Sequence, residues 1–292
     1  MTRLTWCLLI RFAGIQFSVH PLFVVVMLAS VLTGRFLELI ALFGIVFVHE
    51  LGHVAAARWF GIPVVSVTML PFGGNAVMED NGNITAGKEI VIALAGPFQN
   101  LVLIGITLLL HQTEVWEGAF PVYFIECNML IALFNLLPIL PLDGGKISQA
   151  VCSLSLSYHS TILWCTRVSV LFSGLVIIYA VGPWLMGGAL QLNLLLIGSF
   201  LLYSNMTDYR NVHYRFLRFL MNRDKSFSQH LIQGSLVQPI IADTSKPLDR
   251  ILRLLRREKY HFIYVMNHEG QIMAVVPEQK VITSYLTGRS DH

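Results

Sequence analysis

Long apolar runs separated by short polar stretches fill the chain up to Met206, and shorter, charge-rich segments with alternating apolar positions take over beyond it. Runs of this kind predict membrane-spanning helices near Pro21 to Leu32, Phe36 to Phe60, Ile90 to Leu110, Val122 to Leu137, Val168 to Met186 and Ala189 to Met206. Between the second and third spans, Ile62 to Met78 is rich in strand formers around a Gly73-Gly74 turn and reads as a β-hairpin. After the sixth, Asp208 to Lys225 interleaves Arg210, Arg215, Arg218 and Arg223 with Tyr209, Tyr214, Phe216 and Phe219, the pattern of an interfacial helix or linker. Strands are then expected at Val237 to Ile241, Phe262 to Met266 and Ile272 to Val276, with helices at Pro247 to Glu258 and Glu278 to Leu286. The expected fold class is an α-helical polytopic membrane protein, with six transmembrane helices and a β-hairpin-like insertion over residues 1–206. A linker over 207–230 and a small α/β domain over 231–292 complete it.

Composition strengthens this picture. Apolar residues make up 55% of the chain and charged ones 13%, and the mean hydropathy of +0.65 is too high for a soluble domain of this size. Of the 20 Lys and Arg, most lie beyond the sixth span, so the positive-inside rule puts the tail in the cytosol, and six spans bring the N-terminus to the same side. Arg3, Arg11, Arg58, Lys88 and Lys146 then fall inside, and Glu114 and Glu117 outside; Arg35 runs against the rule. Leu4 to Ile10 is short, is closed by Arg11 and lacks a small-residue cleavage site, which argues against a removable signal peptide. Cys7, Cys127, Cys152 and Cys165 stand singly in or beside apolar segments and are expected to be reduced thiols. No direct nucleic-acid partner is expected.

The second span carries the chemistry. His49, Glu50 and His53 spell H-E-x-x-H inside an apolar helix, where a central acid costs about 2.5 to 3.5 kcal/mol to insert. Residues four apart on a helix are about 40° apart around the axis and about 6 Å along it, so both imidazoles can grip one ion. Glu50, roughly 100° round, reaches that ion's water without ligating the ion, which is the general-base position in zinc proteases. A catalytic zinc wants a third protein ligand, and the stretch after His53 offers neither Glu nor His until Glu79. Glu38 is about three turns from His49, and Glu79, Asp80, Glu89, Glu114, Glu117 and Glu126 occupy or border loops and helix ends. Asp143 is different: it follows the fourth span in a stretch where Pro138 and Pro141 break the helix and Gly144 and Gly145 free the backbone. Non-helical chain at membrane depth is tolerated chiefly where it lines a cavity or lies inside protein.

His49-Glu50-Leu51-Gly52-His53, Gly96-Pro97-Phe98-Gln99-Asn100 and the N-x-x-P-x-x-x-L-D-G pattern from Asn135 to Gly144 resemble, in this order, the motif set of the site-2 protease family of intramembrane zinc metalloproteases. Six spans followed by a cytosolic tail resemble its sporulation branch. The resemblance implies one zinc (Zn2+) per chain held by His49, His53 and Asp143, with Glu50 activating water. It further implies that Asn135, Asn100, Pro138 and Pro141 line the site or position substrate, an amide orienting the scissile carbonyl or steadying its oxyanion. Gly52 and Gly96 are expected to permit close backbone packing. The implied partners are a membrane-associated protein substrate, a sporulation sigma factor precursor in that branch, and membrane inhibitory or regulatory proteins. The strand and helix order of the tail resembles one cystathionine-β-synthase (CBS) motif, which implies a homo-oligomer formed through it and an ATP site. Pro277-Glu278-Gln279-Lys280 departs from the T-x-x-D that holds ribose in many such motifs. The alternative is a catalytically inactive zinc-containing membrane scaffold or regulator. A transporter is disfavoured because no internal repeat is visible.

Overall fold

The structure is a computed structural model that describes residues 8–12, 15–19, 27, 34, 36–70, 73–78, 84–233, 237–243 and 246–287. The chain divides into two compact units, residues 1–79, 87–138 and 142–147 forming one and residues 80–86, 139–141 and 148–292 the other.

The first unit contains a four-stranded sheet in the order β1-β2-β3-β4. β3 (Val64–Leu70) and β4 (Gly73–Met78) form the expected antiparallel hairpin. β1 (Leu8–Phe12) and β2 (Ile15–Val19) make a second hairpin, and β2 pairs in parallel with β3. The first hairpin had no clear local signal: its strands are five residues each, and the parallel pairing that holds them comes from some fifty residues away, Gln16 opposite Ser66. Packed on β3 and β4 is α1 (Phe36–Trp59). Its buried positions, among them Ile45, His49, Gly52, His53 and Ala57, recur at helical spacing, so the polar triplet faces protein and not lipid. α2 (Ala86–Gln112) and α3 (Ala119–Asn135) complete the unit. The chain leaves the helix after Asn135 and enters α4 at Asp143 (Asp143–Ser155), so the two prolines do end the fourth apolar segment.

In the second unit α5 (Tyr158–Leu185) packs along α6 (Leu192–Arg210). Gly198 allows that approach, since a Cβ there would lie 2.9 Å from an Ile177 side-chain carbon. Among the described residues, α1, α2 and α5 are long and apolar enough to cross a membrane, and α3, at 17 residues, is apolar but shorter. The expected span Pro21 to Leu32 lies outside the described residues apart from Met27. The expected fifth span starts ten residues earlier, at Tyr158, where Ser157 caps the helix by accepting from the Ser160 N–H.

The segment expected as a linker is α7 (Val212–Gln233), a continuous helix. Val212, Phe216, Leu220 and Arg223 are its buried stripe, and Phe216 and Leu220 belong to the same core as Ile240, Leu252, Leu255, Ile263 and Ile282 of the tail. The tail sheet, β5 (Val237–Asp243), β6 (Tyr260–Met266) and β7 (Ile272–Pro277), pairs β5 with β6 in parallel and β6 with β7 antiparallel. The helix expected from Pro247 to Glu258 is only α8 (Leu248–Leu252), and α9 (Glu278–Thr287) closes the domain.

Candidate metal centre

Four residues of helical spacing put His49 and His53 on one face of α1, and the break after α3 delivers Asp143 to the same point. His49 Nε2 and His53 Nε2 lie 3.1 and 3.0 Å from Asp143 Oδ2 and 3.2 Å from each other. All three side chains are buried, and together they are the only His/Cys/Asp/Glu group of metal-binding geometry among the described residues. Tetrahedral zinc with bonds near 2.0 to 2.1 Å separates its ligand atoms by about 3.3 Å, so these separations fit such an ion.

Hydrogen bonds to the outer ring nitrogens make the fit specific. His53 Nδ1 donates to the Ile92 carbonyl at 2.7 Å. His49 Nδ1 donates to Asn100 Oδ1 at 2.8 Å, and the Asn100 amide in turn donates to the Asn128 carbonyl at 3.2 Å. In neutral imidazoles with hydrogens on both Nδ1 atoms, the two Nε2 lone pairs converge on a carboxylate oxygen with no donor among them. A cation is what such a trio accommodates. Lys146 Nζ approaches the other Asp143 oxygen, Oδ1, at 3.0 Å, leaving Oδ2 turned towards the imidazoles.

Gly96 of α2 creates the room. A Cβ at this position would lie 2.4 Å from His53 Nε2 and 2.6 Å from His49 Nε2, so any side chain would occupy the point on which the ligand atoms converge. The close approach expected of Gly96 is thus made to the two imidazoles of the polar centre. Gly52 does serve close packing, with its virtual Cβ 2.6 Å from the Ala95 carbonyl. Gly144 is equally constrained, since a Cβ there would run into the Leu136 carbonyl, and it lets α4 start tight against the end of α3.

Glu50 is buried beside the cluster and makes no hydrogen bond or ion pair among the described residues. Asn100 is fully buried with both halves of its amide engaged, so it acts on His49 and ties α2 to α3. Asn135 is half-buried at the last position of α3, Pro138 is half-buried and Pro141 is exposed. None of these three hydrogen-bonds the cluster. Sequence reading missed Ile92 and Asn128, because both contribute backbone carbonyls, to which any residue type is suited.

The comparisons with known proteins agree with the geometry. The model of Peptidase family M50 matches residues 37–115 and 109–176. Stage IV sporulation protein FB of Bacillus subtilis is 29% identical over 94% of this chain and 93% of its own length. A zinc metalloprotease of Methanocaldococcus jannaschii is 31% identical over 51% of this chain and 46% of its own length. The solved site-2 protease from Methanocaldococcus jannaschii shares the fold, with a TM-score of 0.55 at 22% identity over 69% of this chain and 94% of that one. The chain belongs to peptidase family M50, the site-2 proteases, and is an integral membrane zinc metalloprotease of that type.

Proposed function

We propose that His49, His53 and Asp143 hold one zinc ion and that Glu50 is the general base of an intramembrane endopeptidase. The observation that carries this is the convergence of three acceptor atoms at 3.0 to 3.2 Å with no donor between them. Bound zinc would lower the pKa of its water and polarise the scissile carbonyl. Glu50, adjacent and with no other side-chain partner among the described residues, would take a proton from the attacking water and return it to the leaving nitrogen. Asn100 and Ile92 hold the imidazoles in the tautomer that presents Nε2. Asn135, at the end of α3, and the Pro138 to Pro141 stretch are assigned to the substrate side. Glu50→Gln should abolish cleavage while the protein retains its zinc; unchanged cleavage would remove Glu50 as the base, and zinc-loaded wild-type protein that cleaves no membrane substrate would leave the scaffold reading.

A helical substrate hides its carbonyls in backbone hydrogen bonds, so it must be unwound to be cut. β4 is an edge of its sheet among the described residues, which supports presentation of substrate by strand addition there. Proline at Asn75 or Val77 should then depress cleavage without loss of zinc, and full activity would remove the role. We assign six spans with both termini in the cytosol, supported by the Lys and Arg of the tail, an arrangement that would bring the centre near the cytosolic face. The substrate we assign is a membrane-associated protein, a sporulation sigma factor precursor, under membrane-bound regulators; the likeness to stage IV sporulation protein FB over nearly the whole chain supports this.

The tail is assigned as a CBS-type module that associates with a second copy. Its β-α-β-β-α order and the exposed apolar residues Ile241, Met273 and Val275 on its sheet support that role. Against an ATP site, Lys280 stands where T-x-x-D carries its acid, and Glu278, two residues before it, is buried and committed to Arg223 and His261. An ATP-dependent shift in melting temperature or oligomer size would restore it.

A further inference from the structure

Between Asn135 and Asp143 the backbone runs outside any helix, and Pro138 and Pro141 contribute no N–H. The polar groups of such a stretch must find partners in protein. At Leu140, three residues before Asp143, side chains satisfy both of them. The Leu140 N–H donates to Ser169 Oγ at 2.9 Å, and the Leu140 carbonyl accepts from Asn205 Nδ2 at 2.5 Å. Ser169 sits on α5 and Asn205 on α6, and neither has more than 1% of its surface exposed.

Further bonds hold this pair in place. Ser169 donates its own hydroxyl hydrogen to the Cys165 carbonyl at 2.8 Å, which turns its lone pairs towards Leu140. Asn205 Nδ2 also donates to the Leu201 carbonyl at 2.8 Å and lies 3.4 Å from Ser173 Oγ. Two neighbouring helices could be tied by their own side chains directly; here the shortest of the bonds between different elements goes to the connecting chain. Leu140 itself is buried, so water does not replace these partners.

We propose that Ser169 and Asn205 are positioning residues for the reaction, fixing the backbone that presents the Asp143 carboxylate to the two histidines. This rests on Asp143 being a zinc ligand. A carboxylate delivered by an irregular segment is pre-organised only if that segment has one path, and clamping both backbone groups of one residue gives it one.

The test uses the full-length protein reconstituted in lipid, comparing Asn205→Leu, Ser169→Ala, Ser169→Thr, Asp143→Asn and the control Thr166→Val. Thr166 is buried on α5 with a hydroxyl that has no hydrogen-bond partner among the described residues. Zinc affinity is read by chelator competition, the ligand field by the visible spectrum of the Co2+-substituted protein, and kcat and KM with one peptide substrate. Asn205→Leu should weaken zinc binding and lower kcat by about 10- to 100-fold with KM little changed, and should alter the Co2+ spectrum. Ser169→Ala should act in the same direction, Ser169→Thr should restore the wild-type values by keeping an acceptor oxygen, and Thr166→Val should match wild type. If Asn205→Leu does not fold, the Ser169→Ala and Ser169→Thr pair decides. Wild-type zinc affinity and Co2+ spectrum in Ser169→Ala, or an equal loss in Thr166→Val, overturns the proposal. Wild-type zinc affinity in Asp143→Asn overturns the ligand assignment instead.

Discussion

In the tail, the buried carboxylate of Glu278 lies between Arg223 and His261; in the membrane unit, the buried carboxylate of Asp143 lies between His49 and His53. The tail cluster is closed. Arg223 makes a two-pronged ion pair with Glu278 at 2.8 and 2.9 Å, and His261 donates to it from both Nδ1, at 2.9 Å, and its backbone N–H, at 3.1 Å. Arg223 satisfies its remaining donors on the carbonyls of Arg256 and Lys259. Every acceptor meets a donor, as a structural ion pair in a core requires. Around Asp143 Oδ2, by contrast, acceptors meet acceptors, and Lys146, with half of its side chain exposed, serves the other oxygen. A buried carboxylate beside histidine thus makes a closed lock in one place and an open group of acceptors in the other, and the positions of the hydrogens decide which.

Filling the space at the membrane centre should have the largest effect. Gly96→Ala places a methyl on the point where the ligand atoms converge, so zinc content and cleavage should fall by at least about 100-fold, as measured by metal analysis and a peptide assay. Opening the lock comes next. Arg223→Met strands the Glu278 charge in the core and should destabilise the tail by about 3 to 5 kcal/mol, read by denaturant unfolding, with zinc content unchanged. A metal loss as large as that of Gly96→Ala would erase the distinction between the clusters. Asn100→Leu removes the acceptor that sets the His49 tautomer and should weaken zinc affinity about 10- to 100-fold, without the complete loss expected of a ligand variant.

The smallest effect is on pH dependence. Burial alone would raise the Glu278 carboxyl, but hydrogen bonds from His261 and Arg223 outweigh it and hold the group below its ordinary value of 4.5. A carboxyl depressed by folding stabilises the native state above its ordinary pKa and loses that contribution as the pH falls through the depressed value. The melting-temperature advantage of the wild-type chain over Glu278→Gln should therefore be full above about 4.5 and shrink below it. A constant difference across that range would separate the ion pair from the stability of the tail.

The described long apolar helices and the residues of the His49-His53-Asp143 cluster were legible because their signals are local or chemically distinctive. His49 and His53 are one helical turn apart, and Asp143 is an acid between prolines and glycines in an otherwise apolar region. The β3–β4 hairpin and the tail strands carry their own alternation and turns. Reading Arg223 among the interfacial arginines failed because a charge at helical spacing looks the same whether solvent or a buried glutamate awaits it. The β1–β2 hairpin was missed because its sheet partner lies far along the chain.

By itself, the sequence determined a membrane-embedded helical chain, the residue types able to hold an ion, and the helical phase that aims two of them together. Those follow from hydropathy and from the fixed geometry of the α-helix. Only the tertiary structure decided that Ile92 and Asn100 set the imidazole tautomers, that Gly96 keeps the centre open, that Leu140 is clamped from two helices, and that Arg223 is locked inside the tail. The reason is physical: each depends on where a lone pair, a hydrogen or a missing side chain meets a partner distant in the chain, and no local pattern of residues encodes that meeting.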